Sequence, residues 1–214
     1  MPALDMRWPL AVLVGSLGAV AACGGQEEPP EPADVLIIYD SGIPSRSISE
    51  MKPGDEYVMA GPTPAATNCE TIANLLASAF ESRDLVVRVI PAAAIVSPEE
   101  VLRSRLVILG SPTRFWNVSW KIKKLLDEVF GGIYVSRKKQ FAKQRVAAFA
   151  MAEIEPSAEA ALATIRAVAR DCGGKLDHTL VVLTNHSQSE VRRRIRAFAD
   201  QLAPPPRGGQ EAWK

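Results

Sequence analysis

Five short apolar runs, at residues 35–39, 85–90, 106–109, 146–150 and 179–183, recur along the chain with turn-forming residues around them. Between them the apolar positions switch to helical spacing: Ile72, Leu75, Leu76, Ala79 and Phe80; then Val118, Ile122, Leu125, Leu126 and Val129; then Leu162, Ile165 and Ala169; then Val191, Ile195, Phe198 and Leu202. Runs that are apolar throughout suit strands buried on both faces. Strands alternating with helices need right-handed crossovers, so the pattern predicts an α/β domain: a five-stranded parallel sheet with helices on both faces. Ser97 to Glu100, with Pro98 at the first helical position, and Ser187 to Glu190 have the form of capping boxes. Gly173 and Gly174 should close the fourth helix, Gly131 and Gly132 the one before it, and Gly110 with Pro112 should end the third strand abruptly.

Composition narrows the class. With 47% hydrophobic residues the chain can build a core, and a net charge of +1 with a pI near 7.7 argues against a dedicated nucleic-acid binder. No G-x-G-x-x-G follows the first run, which disfavours a dinucleotide fold, and no G-x-S-x-G supports a hydrolase. His178 and His186 lack metal-ligand spacing. Cys69 and Cys172 are two cysteines besides Cys23 and no disulfide framework; in the topology that the resemblance below implies, they lie at opposite ends of the sheet and are not expected to bond.

The N-terminus resembles a bacterial lipoprotein signal. Residues 11–22 are an apolar stretch behind Arg7, closing on Val20, Ala21 and Ala22 with Cys23 directly after. The resemblance implies removal of residues 1–22, acylation of Cys23 and a lipid anchor to the membrane on the extracytoplasmic side of the envelope. Residues 23–33 are then an acidic, proline-rich linker, 34–203 the folded domain and 204–214 a disordered tail. An ordinary signal peptide or an uncleaved membrane helix is the alternative.

The segment 110–117, Gly-Ser-Pro-Thr-Arg-Phe-Trp-Asn, leaves the third strand where open α/β sheets bind ligands. Followed by a helix closing on Leu126 and Asp127 and then by Gly131, Gly132, Ile133 and Tyr134, it is similar to flavodoxin-like NAD(P)H:quinone oxidoreductases of the tryptophan-repressor-binding-protein type, whose stretch reads G-T-P-T-R-F-G-N. The resemblance implies a flavodoxin-like three-layer sandwich of strand order 2-1-3-4-5. It implies FMN as cofactor, held around its ring by Ser111, Pro112, Thr113, Arg114, Phe115 and Trp116. Trp116 stands where the family has glycine; an indole there either stacks on the ring or occupies its place.

For the phosphate, the resemblance aligns residues 67–73 with the family's G-N-T-E-x-I-A and points to Thr63, Thr67, Asn68 and Cys69 at a helix N-terminus. Thr67 to Glu70 is equally a capping box, and a helix start could lower the pKa of Cys69. The interval before this helix is long, and residues 43–62 read as an insertion forming a hairpin or flap. After the fourth strand the family's glycine-rich loop is missing; Glu153 and Glu155 stand there, best read as acids at a helix start. A basic stretch from Lys121 to Arg145 and the arginines of the last helix read as solvated faces, with contact to an anionic partner or lipid head groups as the alternative.

These readings converge on an envelope-anchored FMN-binding redox protein that transfers electrons or reduces a quinone. The alternative is a non-catalytic binding module that kept the fold and lost the flavin. NAD(P)H, the family's donor, is not expected outside the cytoplasm, and an unfolded exported chain would acquire FMN only there.

Overall fold

The computed structural model describes residues 33–41, 68–94, 97–136 and 140–203. The chain divides into two units, Met1–Glu31 and Pro32–Lys214, and every described residue belongs to the second. The signal segment, Cys23, the linker up to residue 32, the 43–62 insertion, Thr63, Thr67, residues 137–139 and the 204–214 tail lie outside the described residues.

The first strand, β1 (Val35–Tyr39), is followed by α1 (Cys69–Glu81), β2 (Val87–Pro91), α2 (Pro98–Leu102) and β3 (Leu106–Arg114). A two-residue strand β4 (Asn117–Val118) leads into α3 (Trp120–Leu125), a π-helical turn (Leu126–Phe130) and α4 (Gly131–Ser136). The chain closes with β5 (Arg145–Ala152), α5 (Glu155–Asp171), β6 (Leu176–Leu183) and α6 (Gln188–Leu202). The sheet runs β2-β1-β3-β5-β6, all parallel, with β4 pairing antiparallel to β3 as a sixth strand. Counting only the parallel strands, this is the expected 2-1-3-4-5 order.

Period-two alternation sends the strand side chains into two cores. Leu36, Ile38, Val107 and Leu109 face Ile122, Leu125, Leu162 and Ile165, while Val35, Ile37, Ile108 and Phe149 face Ile72, Leu76, Phe80, Ile195 and Phe198. Each helix therefore buries one stripe against one face. Cys69 and Cys172 are free and fall in different cores, on opposite faces of the sheet.

Two boundaries and one cap differ from expectation. Gly131 and Gly132 do not stop the third crossover helix: Gly131 has helical φ −57 and ψ −41, and the helix continues to Ser136. Gly132 serves close packing instead, since a Cβ there would stand 3.2 Å from Pro98 Cγ. Gly110 and Pro112 do not end β3, because Pro112 still lies in register with Met151 of β5. Ser97 caps α2 by backbone conformation alone, without a side-chain bond. Ser187 does cap α6, accepting the Glu190 amide at 3.2 Å, while the Glu190 carboxylate turns to Arg193 and Arg194. Gly173, at φ 91, ends α5 as expected, with the Gly174 amide reaching Ala169 O at 2.8 Å.

Candidate functional site

Beyond Gly110 the chain builds a hairpin from a segment that reads as a loop. Thr113 pairs with Val118 and Arg114 with Asn117, leaving Phe115 and Trp116 as a two-residue turn. Their φ values are 46 and 62, so both sit in the left-handed region that two-residue hairpin turns require and that glycine or asparagine normally fills. An L-residue there costs about 1–2 kcal/mol. Strain of this kind at two neighbouring aromatic residues marks a place where something other than stability sets the sequence.

The base of the hairpin is buried and its polar groups are engaged. Ser111 is fully buried; its Oγ accepts the Ser119 amide at 2.9 Å and donates to Pro112 O at 2.8 Å. Asn117 Oδ1 accepts the Val118 amide at 2.8 Å and the Thr164 hydroxyl at 3.1 Å, tying the hairpin to α5. Ser119 caps α3 through the Ile122 amide. The tip is the reverse: Phe115 is 98% exposed and Trp116 59%, with Trp120 at 57% at the start of α3. Lys121 Nζ lies 5.9 Å from the Trp120 ring centre, within cation–π range.

Beside the hairpin, β1 and β3 end together. The Asp40 amide donates to Gly110 O at 3.1 Å, and the buried Asp40 carboxylate pairs with Lys121 Nζ at 3.2 Å. The connection from β1 leads to β2 on one side of the sheet and that from β3 to β5 on the other, so this is the switch point of the topology, where open α/β sheets leave a crevice. At the start of α1, Asn68 is the capping residue rather than Thr67: its Oδ1 accepts Thr71 N at 2.7 Å and Thr71 Oγ1 at 2.9 Å. Burial first, then the neighbouring Glu70 carboxylate, holds the Tyr39 phenol above its usual range. Cys69 is not an activated thiol. Burial pushes it well up, the Asp40 carboxylate pushes further, and the Arg114 guanidinium offsets only part.

No protein-family model matches the chain, and no curated protein matches it in sequence. Solved structures do. The WrbA-like flavodoxin protein of Agrobacterium tumefaciens superposes with a TM-score of 0.53 at 15% identity, over 79% of this chain and 96% of that one. The Trp repressor binding protein of Bacillus subtilis gives 0.53 at 11% identity, over 80% and 99%. Oxidised flavodoxin 1 of Bacillus cereus gives 0.54 at 13%, over 78% and 96%. The fold is flavodoxin-like.

Within that fold the expected site residues sort clearly. Pro112 is buried in the sheet, Thr113 half-buried, and Arg114, Phe115 and Trp116 exposed at the hairpin. Asn68 and Cys69 stand at the start of α1, the one exposed and the other buried. Glu155 lies in the first turn of α5, as a helix-start acid should, with Glu153 just ahead of it. Three residues at this end were not picked out from sequence: Trp120, Asp40 and the pairing role of Lys121. The four-residue spacing from Trp116 to Trp120 was the available signal for the first; nothing local announces the Asp40–Lys121 pair.

Elsewhere among the described residues several charges are paired. Lys123 pairs with Asp127, Lys124 with Glu128, Arg83 with Asp200, and Arg193 and Arg194 with Glu190. Among the described residues no group of three His, Cys, Asp or Glu could hold a metal, and no helix is long and apolar enough to cross a membrane.

Proposed function

We propose that the protein is a redox protein whose flavin ring rests on the Phe115–Trp116 hairpin, at the crevice between β1 and β3. The observation that carries this reading is the turn itself: two exposed aromatic residues in strained left-handed backbone, raised on a hydrogen-bonded base at the ligand end of the sheet. The residues present fit a planar aromatic cofactor. Phe115 and Trp116 offer ring faces and shield one side from water; Thr113 and Arg114 border the crevice; Ser111 and Asn117 hold the loop in place. Bound there, FMN would supply one- or two-electron transfer. The Arg114 charge would favour added negative charge nearby, and no side chain is needed as an acid or base.

A quinone or a second redox protein is the acceptor this reading proposes. With it goes a lipid anchor at Cys23, supported by the signal-like sequence of residues 11–23. The test of the cofactor is a titration of the purified protein with FMN, followed by the flavin visible spectrum and by quenching of flavin fluorescence. Saturable spectral change supports the reading. No change up to about 1 mM, roughly 4 kcal/mol of affinity, rejects it and leaves a flavodoxin-like binding module without flavin.

A further inference from the structure

The Phe115–Trp116 turn closes a ladder of two residue pairs, Thr113 with Val118 and Arg114 with Asn117. So short a ladder is marginal support, and the left-handed turn works against it, so the return arm β4 has to be held from outside the hairpin. Helix α5 holds it at both of its residues. Val118 is buried in one core with Ala158, Ala161, Leu162 and Ile165 of α5. Asn117, which directly follows Trp116, is exposed, and its Oδ1 accepts the Thr164 hydroxyl at 3.1 Å.

The sequence of α5 sets this up. Ala158, Ala161, Leu162 and Ile165 form the stripe that faces the sheet, and Thr164, half-buried, sits at its edge, where a short side chain meets the hairpin. Its hydroxyl also lies 3.4 Å from Ala160 O, but it has one proton to give, and the shorter contact is the one to Asn117. The same Asn117 oxygen takes the Val118 amide at 2.8 Å, so a single atom joins the residue after the turn, the buried arm and the helix.

We propose that Thr164 is a positioning residue for the flavin surface, acting through Asn117 to keep Phe115 and Trp116 in the turn that presents their rings. This rests on the flavin reading above. Without the bond a larger share of molecules has the hairpin open, and apparent affinity falls with the share that still presents the turn. The loss is bounded by what one neutral hydrogen bond contributes, about 2- to 10-fold.

The test uses Thr164→Val, which keeps the side-chain shape and removes the hydroxyl, and Thr164→Ser, which keeps the hydroxyl. Two quantities are measured on the full-length protein: amide hydrogen exchange without ligand, and the dissociation constant for FMN by quenching of flavin fluorescence. In Thr164→Val, exchange in peptides covering 113–118 should quicken about 2- to 10-fold while peptides from β5 and β6 stay unchanged. FMN should bind about 2- to 10-fold more weakly, and Thr164→Ser should restore both quantities to within about twofold of wild type. Added to the Phe115→Ser, Trp116→Ser variant, Thr164→Val should change FMN affinity no further, because the surface it positions is gone. Unchanged exchange at 113–118, unchanged FMN affinity, or a loss that persists without the two aromatic residues or is not restored by serine overturns the inference and leaves the flavin reading intact. A wild type that binds no FMN overturns both.

Discussion

Gly110 and Phe149 share one space: a Cβ on Gly110 would stand 2.0 Å from Phe149 Cζ. The two residues are opposite one another in the β3–β5 pairing, and the phenyl ring fills the place a side chain on β3 would take. The glycine is thus required by packing rather than by a left-handed backbone.

Gly110→Ala should therefore overpack the core at a cost of about 1–3 kcal/mol, lowering the melting temperature by roughly 3–10 °C. Adding Phe149→Leu to that variant should recover part of the loss. Calorimetric melting checks both; an unchanged Gly110→Ala melting point would mean that the ring moves aside freely.

Trp116→Gly should stabilise the fold and weaken the site. Removing left-handed strain, less the conformational entropy of the new glycine, is worth about 1 kcal/mol, or about 2–4 °C. Losing the indole face should weaken flavin binding about 2- to 10-fold, from a stacking contribution of about 0.5–1.5 kcal/mol. Melting and titration of the same variant separate this trade-off from an indole that merely blocks the crevice, for which both stability and affinity would rise.

His186 gives the protein a pH dependence. Its Nδ1 accepts the Leu183 amide at 3.2 Å, a bond only the neutral ring can make. Burial first, then Arg194, lowers its pKa from 6.5, with Glu190 and Glu155 opposing. The unfolded chain then binds more protons than the folded one between the folded value and 6.5, so stability is full above 6.5 and declines as pH falls through that window. Melting temperatures from pH 7.5 to 5.5 should fall in the wild type and flatten in His186→Gln, whose amide oxygen can still accept. Parallel slopes would remove His186 as the cause.

The strands were legible because parallel sheets buried on both faces demand continuous apolar runs; β1 coincides with the apolar run at Val35–Tyr39. The hairpin was not, because Ser111, Pro112 and Thr113 carry the polarity and proline of a loop. Two-residue pairing of β4 leaves no periodicity to read, and neither Phe115 nor Trp116 announces a left-handed turn as glycine would. Gly131 and Gly132 failed as a stop signal because what decides them is the approach of Pro98, distant in sequence. Of the candidate site, the sequence pattern marked the segment after β3; the buried Ser111 hydroxyl, the Asp40–Lys121 pair and the Asn68 cap depend on the folded arrangement.

The lipid anchor has its own test. Mature protein from the membrane fraction should begin at an acylated Cys23, seen by mass spectrometry, and Cys23→Ala should release the protein from the membrane. A mature chain beginning elsewhere, or membrane association unchanged in Cys23→Ala, would dismiss the anchor without touching the site.

The central claim is that the strained aromatic tip receives the flavin ring, and calorimetric titration of flavin into wild type and into the Phe115→Ser, Trp116→Ser double variant tests it most directly. Both proteins should melt within a few degrees of one another, since both side chains are exposed. The account predicts saturable binding to the wild type and a loss of roughly 5- to 150-fold in the double variant, from two stacking contributions of about 0.5–1.5 kcal/mol each. Equal affinity in the two proteins would contradict it.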